Sequence, residues 1–334
     1  MRRFAIWLLV PAACTPGTLP ERIAHLRDGN VFLLNLETGT SERITEDAKY
    51  TDLAWLSPGR LLVSTQEPGE FAPETRWHVL SLESRKTSPV PRVPRAVPSP
   101  DSSLIAYPDP KGNRVFVKGL DAGEPTETFE TSLLVLSISW SPEGRHLAVC
   151  VMEPRDPVPE GTEKPGLRLV DVRTKAARTA FEGHVLAPVW SPDGRWLAFL
   201  GRRDGKGGVW VVREDGQGLR FLSETHVLSH GIYFTVPAWS PDSRQLAFVS
   251  TRKENEFPYR IITVDRDGRE RSELSETQKH RMEPSWSPSG AMILFVQADG
   301  YGSKDPELWV MRRDGTGARR LMEAAPAAWV LPGP

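Results

Sequence analysis

The sequence predicts an all-β protein of the β-propeller class, and two observations support this prediction. The fifteen-residue unit "APVWSPDGRWLAFLG" at residues 187–201 returns as "VPAWSPDSRQLAFVS" at 236–250 and as "EPSWSPSGAMILFVQ" at 283–297. Copies recur at intervals of 42 to 50 residues, and each contains the signals of four short strands. Self-similarity at this period, with four strands per unit, is typical of propeller blades.

The copies align on the tryptophan of the "WSP" element. Four of them are clear, two upstream copies are degenerate, and a truncated copy ends the chain. The aligned positions are Trp55, Pro98, Trp140, Trp190, Trp239, Trp286 and Trp329. A large residue that enters a turn at the same place in every unit is expected to pack between neighbouring blades.

Each unit has the same internal order of strands and turns. A strand runs into the "WSPDGR" turn, a second strand such as "WLAFLG" follows, and a third such as "GVWVVR" comes next. Asp-Gly pairs at 215–216, 267–268 and 314–315 then connect the third strand to the fourth. Asp-Gly suits a tight hairpin because glycine adopts a positive φ without steric cost.

The two ends of the chain predict how the ring closes. Residues 23–45 supply the second, third and fourth strands of a blade, and the C-terminal "PAAWVL" supplies a first strand. One blade shared by both ends would pair these open edges, so we expect seven four-stranded blades in a propeller domain at 23–334. The alternative is a six-bladed ring with unpaired ends.

The N-terminus has the features of a targeting segment. Arg2 and Arg3 precede the apolar run "FAIWLLVPAA" and then Cys14, so residues 1–14 are interpreted as a secretory or lipoprotein signal and 15–22 as a tether. Lipidation of Cys14 would attach the protein to a membrane; the alternatives are removal of Cys14 or a segment with no targeting role. We therefore expect a periplasmic or cell-surface location. The other cysteine, Cys150, is interpreted as a small buried hydrophobic residue, with a reactive thiol as the alternative.

Composition and motifs exclude several function classes. The formal net charge is −1 with 25% charged residues, whereas nucleic-acid binding normally needs a basic excess. The repeated aspartates are explained by turn chemistry rather than by calcium binding. We find no catalytic triad, metal-ligand cluster or glycine-rich phosphate loop in the sequence. The sequence therefore predicts no cofactor, no metal and no catalytic residue.

Candidate binding residues lie six positions before the aligned residue of each unit. His184 and His280 occupy this place in two blades, and Tyr233 occupies it between them. The loop that enters an innermost strand lies around the mouth of the channel, so these residues would form a polar, aromatic and cationic ring there. The same offset elsewhere gives Lys49, Arg92, Leu134 and Glu323.

Long connections are a second indication of the same face. Residues 66–76, 152–165 and 297–307 link second and third strands, and 223–236 lead into an innermost strand. In propeller topology these loops emerge together, and long loops on a rigid scaffold often carry binding function. They contain Phe71, Tyr301, Tyr233 and Phe234, beside carboxylates, and could contact a peptide, a glycan or a basic protein surface. Idle surface insertions are the alternative.

The unit "P-x-WSPDG-x-x-LAF", followed by "W-V" strands and Asp-Gly turns, resembles the WD-repeat-like propeller repeat of the TolB type. The resemblance covers residues 23–331 and implies a periplasmic, non-enzymatic binding partner in envelope complexes. TolB proteins combine six blades with a small N-terminal α/β domain, whereas this chain has no room for that domain before residue 23 and has seven predicted blades. Similar repeats gate prolyl-oligopeptidase-type peptidases, but the G-x-S-x-G elbow of their hydrolase domain is missing from this sequence.

The leading hypothesis is a monomeric binding scaffold of the envelope that holds a protein or peptide on its channel face. The rival hypothesis is a propeller enzyme, a hydrolase or lyase, with its site at the channel mouth. A structural or assembly role is the third.

Overall fold

The computed structural model contains seven four-stranded antiparallel sheets, which confirms the seven-bladed propeller. It describes residues 22–57, 59–68, 74–90, 96–101, 103–119, 124–154, 163–225, 236–251, 258–274, 279–299, 306–323 and 327–330. In this part of the chain, no helix is long and apolar enough to cross a membrane. The predicted signal, Cys14 and residues 15–21 of the predicted tether lie outside the described residues and stay predictions, whereas Arg22, the last predicted tether residue, begins a strand.

Each blade uses its four strands in the same order. The first strands are β4 (Tyr50–Ser57), β8 (Val97–Pro98), β12 (Leu134–Trp140), β16 (His184–Trp190), β20 (Ala238–Trp239), β24 (His280–Trp286) and β28 (Ala327–Val330). The second strands are β1 (Arg22–Arg27), β5 (Arg60–Glu67), β9 (Leu104–Pro108), β13 (His146–Met152), β17 (Trp196–Arg203), β21 (Gln245–Ser250) and β25 (Met292–Ala298).

The outer half of each blade follows the same order. The third strands are β2 (Asn30–Asn35), β6 (Glu74–Ser81), β10 (Arg114–Gly119), β14 (Gly166–Asp171), β18 (Lys206–Arg213), β22 (Arg260–Asp265) and β26 (Glu307–Arg312). The fourth strands are β3 (Ser41–Arg43), β7 (Thr87–Pro89), β11 (Thr126–Glu130), β15 (Ala177–Glu182), β19 (Arg220–Glu224), β23 (Arg271–Glu273) and β27 (Arg319–Glu323). We number the blades 1 to 6 from β4 to β27.

The closing blade joins the two ends of the chain, as predicted. The C-terminal strand β28 pairs antiparallel with β1, with Ile23 opposite Trp329 and Ala24 opposite Ala328. This pairing covers the edge of β1 that the N-terminal three-stranded sheet would otherwise expose. Apolar contacts close the ring on both sides: Ala24 belongs to a cluster with Leu61 of blade 1, and Ile23 packs with Leu294 of blade 6.

The repeat tryptophans bind neighbouring blades together. Their side chains in blades 3 to 6 are buried, and each indole N–H donates to a backbone carbonyl of the preceding blade. The acceptor is always the residue just before that blade's aligned position. The four bonds run from Trp140 to Val97 (2.8 Å), Trp190 to Ser139 (3.3 Å), Trp239 to Val189 (3.1 Å) and Trp286 to Ala238 (3.1 Å). The predicted packing role is confirmed.

The turn after each tryptophan is held by its own side chains. In blade 4, the Ser191 hydroxyl donates to Asp193 Oδ1 (2.6 Å), which also accepts from the Arg195 N–H (3.1 Å). The glycines of the three predicted Asp-Gly turns all have positive φ, as that turn chemistry requires. These local bonds explain why the Ser, Asp and Gly positions repeat.

The connection between the second and third strands of blade 1 is shorter than predicted. Residues 66–76 were expected to be a long loop, but β5 continues to Glu67 and β6 begins at Glu74, so only the centre of this segment connects the strands. Cross-strand bonds such as Arg76 Nε to Glu67 Oε2 (2.8 Å) extend the hairpin.

Cys150 is fully buried, as expected, and burial raises the pKa of its thiol to about 12.

Candidate functional site

The innermost strands define a channel with two different ends. We call the end where these strands begin the loop face, because the connections between blades and those between second and third strands lie there. We call the opposite end the turn face, where the "WSPDG" and Asp-Gly turns lie. First strands of neighbouring blades contact one another from β8 through β24 and again between β28 and β4.

Some residues of the predicted binding ring lie in the part of the chain that the structure describes. Lys49 directly precedes β4, and Leu134 and His184 begin β12 and β16, so all three lie at the loop face. The His184 side chain is exposed. Lys49 is half-exposed, with its ammonium group 2.6 Å from Asp47 Oδ2. Their positions agree with the expected ring, and their binding role stays a prediction.

His280 has a different environment from His184, although the two are equivalent in the repeat. Its side chain is only 6% exposed and packs edge-on against the Tyr259 ring, with ring centroids 4.8 Å apart. The Tyr259 N–H lies 3.4 Å from His280 Nδ1, and burial lowers the pKa of the imidazole. Sequence position alone does not reveal this burial, because Tyr259 comes from the neighbouring blade.

Five other predicted residues, Tyr233, Arg92, Phe71, Tyr301 and Cys14, lie outside the described residues, as does Phe234. Residues 155–162, 226–235 and 300–305 of the long connections do so too. Their roles therefore stay predictions. Glu323 ends β27, and its predicted binding role stays a prediction.

The structure adds a pair of carboxylates that the sequence did not predict. Asp52 and Glu283 each lie three residues before a repeat tryptophan, in β4 and β24. An extra residue interrupts strand pairing at this point of both strands, forming a β-bulge, and Glu283 has a φ of 56°. Bulges re-aim side chains and often lie beside functional sites. A positive φ at a non-glycine residue is a strained conformation.

The two carboxylates are close enough for the charge of Asp52 to act on Glu283. Burial raises the pKa of Asp52 to about 6, although its Oδ1 accepts the Leu53 N–H at 2.8 Å. Burial, and then the negative charge of Asp52, raise the pKa of Glu283 to about 7. The two residues belong to blades 1 and 6, on either side of the closing blade. The space that their innermost strands share is the channel.

The channel pair has no cation to balance it in the described part of the chain. There, no lysine, arginine or histidine forms an ion pair with Asp52 or Glu283. With pKa values near neutrality, the pair can exchange protons at physiological pH or attract a positively charged group. Aligning the innermost strands and comparing the third residue before each tryptophan would have revealed these acids, since Ser137 and Ala187 stand there in blades 3 and 4.

The described residues thus form a seven-bladed β-propeller with two carboxylates of raised pKa, Asp52 and Glu283, on the innermost strands of blades 1 and 6. Residues 114–256 match the family model of the TolB β-propeller domain, so the resemblance read from the repeat is confirmed. This part of the chain is therefore similar to the TolB β-propeller domain, and the seven-bladed fold extends on both sides of it.

Sequence relatives match parts of the chain. The Tol-Pal system protein TolB of Syntrophus aciditrophicus is 45% identical over 51 residues, which are 15% of this chain and 11% of that protein. An uncharacterised protein of Agrobacterium fabrum is 28% identical over 164 residues, 47% of this chain and 53% of that protein. The matches thus span about half, or less, of the length of these relatives.

Solved structures share the fold at low identity. TolB from Acinetobacter baumannii is 17% identical with a TM-score of 0.51, covering 93% of this chain and 82% of that one. An oligogalacturonate lyase in complex with manganese is also 17% identical, with a TM-score of 0.61, covering 93% of this chain and 86% of that one. At this identity the two structures show a shared fold and nothing more.

Proposed function

We propose that this protein is a non-enzymatic binding scaffold of the cell envelope, which holds a protein or peptide segment on its loop face and draws a basic side chain of that segment into the channel. The observation that carries the proposal is the Asp52 and Glu283 pair, which lies in the channel without a balancing cation among the described residues. A lysine or arginine of a partner would supply the missing charge.

The physical argument rests on the cost of ionising these groups. Both carboxylates have raised pKa values because protein surrounds them, so their ionised forms are destabilised in the free protein. A bound ammonium or guanidinium group would stabilise the ionised forms and so obtain binding energy from the pair. Exposed His184 and Lys49 at the loop face would contact the rest of the partner.

The envelope location is supported by the N-terminal "FAIWLLVPAAC" segment and by similarity to a protein named for the Tol-Pal system. Mass spectrometry of the mature chain tests this part. We expect a diacylglycerol-modified Cys14 or a chain cleaved near it. An unprocessed N-terminus in cells would contradict the location and leave the binding proposal to be tested separately.

Fluorescence anisotropy with labelled peptides tests the binding proposal directly. We expect a lysine-rich peptide to bind more tightly than a glutamate-rich peptide of equal length, with affinity rising about tenfold from pH 6 to pH 8 as Glu283 ionises. Glu283→Gln should remove most of the affinity and most of the pH dependence, leaving only the part that comes from Asp52. The matched control is Glu37→Gln, which removes an exposed carboxylate of the β2–β3 turn. Equal binding of both peptides, or an unchanged Glu283→Gln variant, would contradict the proposal.

A propeller enzyme, a hydrolase or lyase, is the second candidate. The same carboxylates favour it, since an acid with a pKa near 7 can act as a general acid or base. One structural neighbour is an oligogalacturonate lyase in complex with manganese, though its identity of 17% supports the fold alone. Incubation with uronate oligosaccharides and Mn²⁺ separates the two candidates, because elimination creates a conjugated double bond with ultraviolet absorbance. Turnover that is lost in Asp52→Asn would favour the enzyme.

A further inference from the structure

We propose a divalent transition-metal site at the junction of blades 3 and 4 on the turn face, formed by Glu143, His146 and Glu214. One nitrogen or oxygen atom from each of these residues lies within 4.8 Å of the other two. The His146 ring nitrogen Nδ1 is 3.3 Å from Glu143 Oε1. The site is at the opposite end of the propeller from the loop face, so it is independent of the proposed partner.

Comparison of equivalent blade junctions shows that Glu214 is a departure from the repeat. The residue before each Asp-Gly turn donates its N–H to the turn after the first strand; it is Glu214 in blade 4, Arg266 in blade 5 and Arg313 in blade 6. Both arginines reach back to the first residue of the preceding blade's second strand. Arg266 lies over the Trp196 ring at 5.7 Å, and Arg313 Nη2 donates to Gln245 Oε1 at 2.9 Å.

At the junction of blades 3 and 4 both partners of this contact are replaced. Glu214 stands where blades 5 and 6 have arginine, and His146 stands where Trp196 and Gln245 lie. A cationic contact has therefore become a carboxylate beside an imidazole. This exchange brings two metal-binding residue types together from separate blades.

Glu143 is a second departure at the same place. The equivalent Asp193 and Asp242 accept hydrogen bonds from the serine and the N–H of their own turns. The longer Glu143 side chain instead approaches His146 and lies over the Cα of Gly194 in blade 4, where an added methyl group would be 2.8 Å from Glu143 Oε2. Because Gly194 has no side chain, it leaves room for the Glu143 carboxylate, which does not hydrogen-bond to its own turn as Asp193 and Asp242 do.

Asp171 provides the support that metal-binding histidines commonly have. Its Oδ2 lies 3.7 Å from His146 Nε2 and 3.0 Å from Arg145 Nε. Asp171 Oδ1 accepts the backbone N–H groups of Arg173 (3.0 Å) and Thr174 (2.8 Å), which hold the carboxylate in this position. A carboxylate on the side of the second ring nitrogen electrostatically favours a proton on Nε2, which is the tautomer that presents Nδ1 to a metal.

The donor set indicates the class of ion. One imidazole nitrogen and two carboxylate oxygens suit Zn²⁺, Co²⁺ or Ni²⁺ better than Mg²⁺, which prefers an all-oxygen shell. Side-chain adjustments of both Glu143 and Glu214 would be needed to bring the three atoms to bonding distance, and water would complete the coordination. The bound ion would cross-link blades 3 and 4.

Isothermal titration of the full, metal-free chain with Zn²⁺ tests the site, and Co²⁺ spectroscopy supplies a second readout. His146→Gln introduces the residue that blade 5 has at this position, and Glu214→Gln removes one carboxylate at nearly constant size. The control is His184→Gln, which removes an exposed histidine at the loop face. Thermal unfolding without metal checks that each variant is folded.

We expect both site variants to bind one Zn²⁺ fewer than the natural sequence, or to bind it at least tenfold more weakly, and to lose the visible Co²⁺ absorption of a nitrogen-containing site. The His184→Gln variant should keep both. Zn²⁺ binding that is the same in His146→Gln and in the natural sequence would overturn the proposal and leave Glu143, His146 and Glu214 as an ordinary charged contact between blades.

Discussion

Two positions of the same innermost strands differ in what they contact. The repeat tryptophan is retained in blades 3 to 6, where it donates to the backbone of the preceding blade. The third residue before it changes from blade to blade, from Asp52 to Ser137, Ala187 and Glu283. Where the side chain must pack against a neighbouring blade, the same residue type is retained. Where the side chain lies beside the channel, different residue types are tolerated. The first position specifies shape, and the second is available for chemistry.

The largest effect on stability is expected at the repeat tryptophan. Trp190→Ala should lower the free energy of unfolding by about 3–5 kcal/mol, because it leaves a cavity between blades and removes the bond to the Ser139 carbonyl. Urea titration measures this change. Trp309→Ala is the matched control, since Trp309 is partly exposed in a third strand and donates within its own strand to Glu307. Equal losses in the two variants would show that the repeat tryptophan has no special role.

At Glu283, three residues before the repeat tryptophan, we expect a substitution to raise the free energy of unfolding rather than lower it. The pKa of Glu283 is raised from 4.5 to about 7, so the folded protein holds this proton more tightly than the unfolded chain. The resulting stabilisation is complete below about pH 4.5 and is lost as the pH rises through 7. Glu283→Gln should therefore stabilise the protein by about 1–3 kcal/mol at pH 8 and flatten its stability between pH 5 and pH 8.

Denaturant titrations across this pH range measure the effect of Glu283. The Glu37→Gln control should follow the natural sequence at every pH, since Glu37 is exposed. A Glu283→Gln curve parallel to the natural one would show that the carboxylate is ionised without cost and that the channel is more polar than its burial indicates.

The same contrast explains how far the sequence could predict the molecule. Seven blades, their shared closure, the tryptophan packing and the Asp-Gly turns all depend on residues that repeat, so an alignment of the chain with itself finds them. Asp52 and Glu283 are not part of the repeated pattern. They are more than 200 residues apart in sequence, and only the closed ring brings their blades close together. His280 was expected at the channel mouth with His184, but its burial depends on Tyr259, a contact that the repeat does not encode.

A smaller effect is expected from the turn that follows the tryptophan. Asp193→Ala removes the acceptor for the Ser191 hydroxyl and the Arg195 N–H and should cost about 1 kcal/mol. Glu153→Ala, an exposed position after β13, serves as the control and should change stability by less than about 0.5 kcal/mol. Thermal unfolding at neutral pH compares them. No loss in Asp193→Ala would mean that the turn backbone alone specifies this part of the repeat.

The smallest effect is expected at Ala187, the channel position of blade 4. Its φ of 52° and its place in a β-bulge match the backbone of Glu283, but it carries no charge. Ala187→Gly relieves the strain of a positive φ, which is worth about 1 kcal/mol, while the greater freedom of glycine in the unfolded chain offsets about half of it. We expect a net stabilisation of about 0.5 kcal/mol in urea titration. A loss above about 1 kcal/mol would show that the Ala187 methyl group packs rather than strains, and that the channel position also contributes to shape.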